Sequence, residues 1–155
     1  MVRKMRCAGI GCAALLLMAA AVSGQTASLD GTWQMDSAKS HVRDGRSVTF
    51  IIASMDNGIK MTVKTKKGDA ESVTEFSTKF NGKASDFAEG DHKSQLTMWW
   101  DGTSLNASKE KGPADDVTAM WKFELSPDKQ TMTLKISHYE PAADEETLVF
   151  NKKPA

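Results

Sequence analysis

The feature that most restricts the fold of this chain is a period of two in its apolar residues. In "GIKMTVKT", residues 58–65, Ile59, Met61 and Val63 alternate with Lys60, Thr62 and Lys64. In "VTAMWKFEL", residues 117–125, Val117, Ala119, Trp121, Phe123 and Leu125 share one phase, with Thr118, Lys122 and Glu124 on the other. "TMTLKISH" repeats the pattern with Met132, Leu134 and Ile136. Successive side chains of a strand point to opposite faces, so these runs predict half-buried antiparallel strands. A helix needs apolar residues three and four apart, and no long stretch after residue 24 has that spacing.

The breaks are as regular as the runs. Asp56-Asn57-Gly58, Lys67-Gly68-Asp69, Asn81-Gly82, Asp101-Gly102, Lys111-Gly112-Pro113, Ser126-Pro127-Asp128 and Glu140-Pro141 each carry turn chemistry. They place strands near 31–35, 47–55, 58–66, 71–80, 94–100, 103–109, 116–125, 131–139 and 145–151. The segment 83–93, "KASDFAEGDHK", reads as a polar loop with room for one short strand. Eight or nine strands joined by short turns form an up-and-down meander, and closing it into a barrel removes both exposed edges. A two-sheet sandwich needs longer crossing connections. The expected fold is all-β, an antiparallel meander closed into an eight- to nine-stranded barrel.

The chain starts differently. "MVRKMR" is basic, "CAGIGCAALLLMAAAV" is apolar and uncharged, and "VSGQ" offers small residues for cleavage after Gly24. This is the layout of a secretory signal peptide, so residues 1–24 are expected to be a cleaved leader and 25–155 one domain. No integral membrane span is expected to remain after cleavage. The expected location is secreted or periplasmic.

Cleavage changes the charge. The whole chain has 20 basic and 20 acidic residues; losing Arg3, Lys4 and Arg6 leaves 17 against 20, a net charge of −3. A nucleic-acid surface needs a basic excess, and none exists. Cys7 and Cys12 leave with the leader, so the mature fold has no disulfide and depends on packing alone.

One short motif adds a resemblance. Residues 28–40 read "SLDGTWQMDSAKS", with Gly31-Thr32-Trp33 at the first strand. Gly31 lets the chain bend closely, Trp33 is placed to plug the barrel end, and Asp36 is placed to cap a helical turn through Ser37, Ala38 and Lys39 as the chain crosses that end. Gly-x-Trp opening such a meander resembles the lipocalin and calycin superfamily, and "GTWQMDSAKS" is similar to small secreted bacterial lipocalin-like proteins. The resemblance implies a barrel with a lumen able to hold a small molecule. Two features depart from the pattern: the Thr-Asp-Tyr block is absent, and the arginine that packs over the motif Trp is replaced by Lys152 and Lys153 nearby.

The inward phase supplies the candidate ligand-binding residues: Ile59, Met61, Val63, Phe76, Met98, Trp121, Phe123, Met132, Leu134 and Ile136. Methionines and aromatics suit an adaptable apolar pocket, and they fill a small barrel core equally well. In Trp99-Trp100 the phase of Leu96 and Met98 turns Trp100 inward and Trp99 outward, where it packs under the 83–93 loop or forms part of a binding surface. His138 continues the inward phase, and nitrobindin-like barrels hold haem through such a histidine. Those barrels carry glycines after Gly-x-Trp, where this chain has Gln34-Met35-Asp36, so no cofactor is expected. His41, His92 and His138 lack the spacing of a metal site, and no nucleophile elbow or phosphate loop is present. The expected function is non-catalytic binding of a small apolar or amphipathic ligand. The alternative is a protein-binding module, an inhibitor or envelope-assembly factor, that uses its loop surface. Oligomeric state is not legible.

Overall fold

The computed structural model describes residues 28–112 and 116–154. The expected leader and Pro113 of one turn lie outside the described residues. Ten strands follow in chain order: β1 Gly31–Met35, β2 Ser47–Met55, β3 Gly58–Lys67, β4 Ala70–Lys79, β5 Ser85–Glu89, β6 His92–Asp101, β7 Ser104–Lys111, β8 Asp116–Leu125, β9 Thr131–His138 and β10 Asp144–Lys152. They form one antiparallel sheet in the order β4-β3-β2-β1-β10-β9-β8-β7-β6-β5. Consecutive strands pair with one another except β4 and β5, and β1 pairs with β10 to bring the first and last strands together. The result is a nearly closed up-and-down barrel.

Two expectations change. The strand count is ten, because Ser85–Glu89 in the 83–93 segment pairs with His92–Leu96. Its inward phase is Ser85, Phe87 and Glu89, and one apolar residue in three gives no readable period. Closure is also incomplete, since β4 and β5 are the two ends of the sheet order. Side chains close that seam instead. The Ser85 hydroxyl donates to Thr78 Oγ1 at 3.0 Å, and Phe76 meets Phe87 edge-to-face at 5.0 Å.

The alternation otherwise holds along the strands. Ala119, Trp121 and Phe123 are buried, while Lys122 is exposed and Thr118 and Glu124 are part-exposed. Val117 leaves its expected phase and is exposed. A bulge between Lys109 and Glu110 pairs Lys109 with Ala119 but Glu110 with Val117, so Thr118 is the extra residue. Its hydroxyl donates to the Lys109 carbonyl at 3.1 Å.

The β2–β3 turn shows why Gly58 is glycine. The left-handed residue there is Asn57 (φ 49°), and Gly58 has already joined β3. A Cβ on Gly58 would collide with the Thr78 carbonyl oxygen of β4. Close approach of the β4 backbone, rather than turn dihedral, fixes that residue.

Trp33 lies in the half of the barrel where β1 begins and is fully buried. Its Nε1–H donates to the Leu29 carbonyl at 2.7 Å, drawing the N-terminal arm under the barrel. Lys152, its partner in register on β10, places its ammonium 5.2 Å from the ring centroid. A lysine thus covers the indole by a cation–π contact. Gly31 has φ 131°, and a Cβ there would stand 2.7 Å from Lys152 Cε.

Asp36 does cap a turn, accepting from Ala38 N–H at 3.2 Å, but the segment does not cross the barrel end. The chain climbs beside β10 instead. Asp36 N–H donates to the Val149 carbonyl, and His41 bridges Thr147. Residues 37–39 form a turn pushed out of that path. The segment therefore delivers Arg43 and Arg46 to the opposite end, where β2 begins.

Candidate functional site

The interior divides into a filled half and a hollow half. Around Trp33 the space is packed by Met61, Met98, Leu105, Met132 and Phe150, all fully buried. Aromatic rings then run edge-to-face across the barrel. Phe87 meets Trp121 at 5.7 Å, Trp121 meets Phe123 at 6.4 Å, and Phe50 meets Phe123 at 5.8 Å and Phe150 at 5.1 Å. Such contacts favour fixed ring positions. They make a rigid floor.

Above this floor is a cavity of about 410 Å³. Its walls are Val48 and Phe50 of β2, Val63 of β3, Phe87 of β5, Trp121 of β8, Leu134 and Ile136 of β9, and Leu148 of β10. Thr65, Ser72, Thr74 and Glu89 line it from strand ends that face the mouth, together with Arg46 just before β2. The mouth is the end of the barrel where β2 begins and β3 ends. A polar hollow of about 600 Å³ adjoins the cavity and shares Arg46, Glu89, Trp121 and Ile136 with it.

One carboxylate organises the mouth. Glu146 of β10 points inward, is 1 % exposed, and receives four hydrogen bonds. Arg46 donates through Nη1 to Oε1 at 3.2 Å and through Nη2 to Oε2 at 2.8 Å. Arg43 donates its backbone N–H at 2.7 Å, and His138 Nε2 lies 3.0 Å from Oε2. Burial by itself would raise the Glu146 carboxyl, but the bonds from Arg46, Arg43 and His138 outweigh it and hold its pKa down at about 2. Glu146 thereby clamps the 41–46 segment against β9 and β10. His138 does continue the inward phase, yet its Nε2 is engaged by the clamp.

Most of the other mouth charges are paired as well. Arg46 also meets Asp44 at 2.8 Å, Lys67 meets Asp44 at 3.3 Å, and Arg43 meets Asp144 at 3.0 Å. Lys109 pairs with Glu89 across the rim and lies over the Phe87 ring. The cavity's neutral polar groups differ. Among the described residues no buried side-chain nitrogen or oxygen lacks a partner. Trp121 Nε1 makes no hydrogen bond among the described residues, so its N–H is not sealed off, and the indole lines both the cavity and the outer hollow.

The ten residues predicted for the lumen all point inward, but they do different things. Val63, Trp121, Leu134 and Ile136 line the cavity. Met61, Phe76, Met98, Phe123 and Met132 belong to the packed core. Ile59 reaches the far end, where it lines an open groove of about 570 Å³ with Leu29, Met55, Phe80, Trp99 and Trp100. Trp99 thus borders that groove, and no residue of 83–93 lines it. The structure adds Val48, Phe50, Phe87 and Leu148 to the cavity. Val48 and Phe50 alternate in "SVTFIIASM" and Leu148 in "DEETLVFNK", so their phase was available; Phe87 stands alone among polar residues, and nothing local marks Arg46 or Glu146.

The described residues thus form a nearly closed antiparallel barrel with a floored, apolar lumen open at one end. Among solved structures, human cRBP IV superposes with a TM-score of 0.58 at 11% sequence identity, covering 83% of this chain and 100% of that one. The likeness is one of fold. No protein-family model matches the chain, and no curated protein matches its sequence.

Proposed function

We propose that this protein is an exported, non-catalytic carrier or binder of a small apolar or amphipathic molecule, held in the cavity above the aromatic floor. The observation that carries the reading is the cavity itself. At about 410 Å³ it falls in the size range of small-molecule sites, about 300–1,000 Å³, and its walls are mainly apolar. A small barrel with no ligand to hold is filled by its own side chains, as the lower half of this one is. Human cRBP IV, a cellular retinol-binding protein, gives the fold a precedent for this use. Export, to the periplasm or beyond, is supported by the layout of residues 1–24. Protein recovered outside the cytoplasm should begin near Gln25 on N-terminal sequencing; recovery of Met1 there would contradict export with cleavage.

An uncharged apolar fluorophore such as N-phenyl-1-naphthylamine should bind folded protein saturably at one site. Trp121→Ala removes the ring that joins floor and wall, and should weaken binding about tenfold. Trp99→Ala, at the far groove, should leave it unchanged. Failure of native protein to bind any apolar probe saturably would count against a lumenal site.

A further inference from the structure

The charges around the mouth carry information about the polar end of the ligand, given the reading of the lumen as its site. Seven ionised groups face the outer hollow: Arg43, Arg46 and Lys109, against Asp44, Glu89, Glu140 and Glu146. Three cations against four carboxylates give a net charge of −1. Each of these cations already has a carboxylate within salt-bridge distance. Arg46, the only cation lining the inner cavity among the described residues, is bonded to Glu146 and Asp44 together. An incoming carboxylate would have to share the Arg46 guanidinium with both of these carboxylates and would lie against them. Like charges brought together in a partly desolvated site are strongly unfavourable.

The neutral groups tell the opposite story. Thr65 of β3 and Ser72 and Thr74 of β4 line the cavity beside the β4–β5 seam, and none of their hydroxyls is engaged by another side chain among the described residues. A hydroxyl can both donate and accept. The Trp121 indole, which lines the same cavity and whose N–H has no partner among the described residues, offers a further donor. Such groups match an alcohol, ester or ketone without any change of ionisation.

We infer that the lumen selects an uncharged amphipathic molecule, with an alkyl or ring body on the aromatic floor and a hydroxyl or carbonyl end bonded by the Thr65, Ser72 and Thr74 hydroxyls and the Trp121 N–H. The mouth's salt-bridge ring then acts as a filter against fatty anions.

The test compares three probes with one ten-carbon chain, 1-decanol, decanoate and decylamine, by calorimetric titration of folded protein at pH 7.4, below any micelle threshold. Decanol is expected to bind tightest, by about tenfold or more over decanoate. The double variant Thr65→Val, Thr74→Val should erase most of the decanol advantage while leaving the affinity for decane unchanged. Decanoate or decylamine binding as tightly as decanol would overturn the head-group inference and leave the lumenal site standing. Binding of none of these three, nor of decane as the control without a head group, would overturn both. Decanol that prefers the double variant would place its hydroxyl elsewhere and also refute the assignment.

Discussion

Trp33→Ala is expected to lower the free energy of unfolding by about 3–5 kcal/mol, the range for truncating a fully buried Trp or Phe. Three losses combine. The indole is 0 % exposed, so its removal opens a void between the N-terminal arm and the packed methionines. The Leu29 carbonyl loses the donor that tethers the arm. The Lys152 ammonium loses the ring face beneath it. Domains are stable by only about 5–15 kcal/mol in total, and no disulfide lies among the described residues to offset the loss. Gly31→Val should be destabilising in the same assay, because it forces a β-branched residue to φ 131° and onto Lys152. Urea unfolding followed by Trp fluorescence reads both. A Trp33→Ala midpoint equal to that of the wild type would mean the residue is not a structural plug.

Glu146→Ala should be the second most damaging change, at about 3 kcal/mol. Removing one member of a buried ion pair leaves the other desolvated and short of partners. Here Arg46 keeps Asp44, but the Arg43 N–H and His138 lose their acceptor. The same clamp sets an acid dependence. The Glu146 carboxyl sits at about 2 in the folded protein against an ordinary 4.5, so the folded state binds its proton less tightly than the unfolded chain does. Its contribution, about 3 kcal/mol, is present in full above pH 4.5 and is lost as the pH falls toward 2. Glu146→Gln should flatten the stability profile across that window while preserving more of the packing than alanine does. Equal pH slopes for wild type and Glu146→Gln between pH 4.5 and 2 would show that the carboxylate is not held by these bonds.

Much of this architecture was legible because a barrel strand writes its burial into every second residue. β3, β8 and β9 could be phased from Met61, Trp121 and Leu134, and turn residues marked nearly every boundary. Three things were not legible, each for a physical reason. β5 has one apolar side chain, Phe87, and owes its pairing to β6 rather than to a pattern of its own. The division of the lumen into floor and cavity depends on how side chains from different strands meet; Val63 and Met61 look alike in sequence, yet one borders space and the other is sealed. The mouth clamp joins Arg46 to Glu146, 100 residues apart, through a register that only the β1–β10 pairing creates. Each of those residues reads as an ordinary surface charge. The motif fared better, since Gly31, Trp33 and Lys152 meet in one contact, although Asp36 caps a turn beside β10 rather than across the barrel end.

The central claim is that small-molecule binding occurs in the hollow half, above the aromatic floor. The measurement that addresses it most directly is a ¹⁵N–¹H correlation titration of the folded mature protein with 1-decanol. Saturable shifts are predicted for the amides of Val48, Val63, Phe87, Trp121 and Ile136 and for the Trp121 indole N–H, with Met55, Trp99 and the Trp33 indole unmoved. Shifts confined to the far groove, or none that saturate, would contradict it.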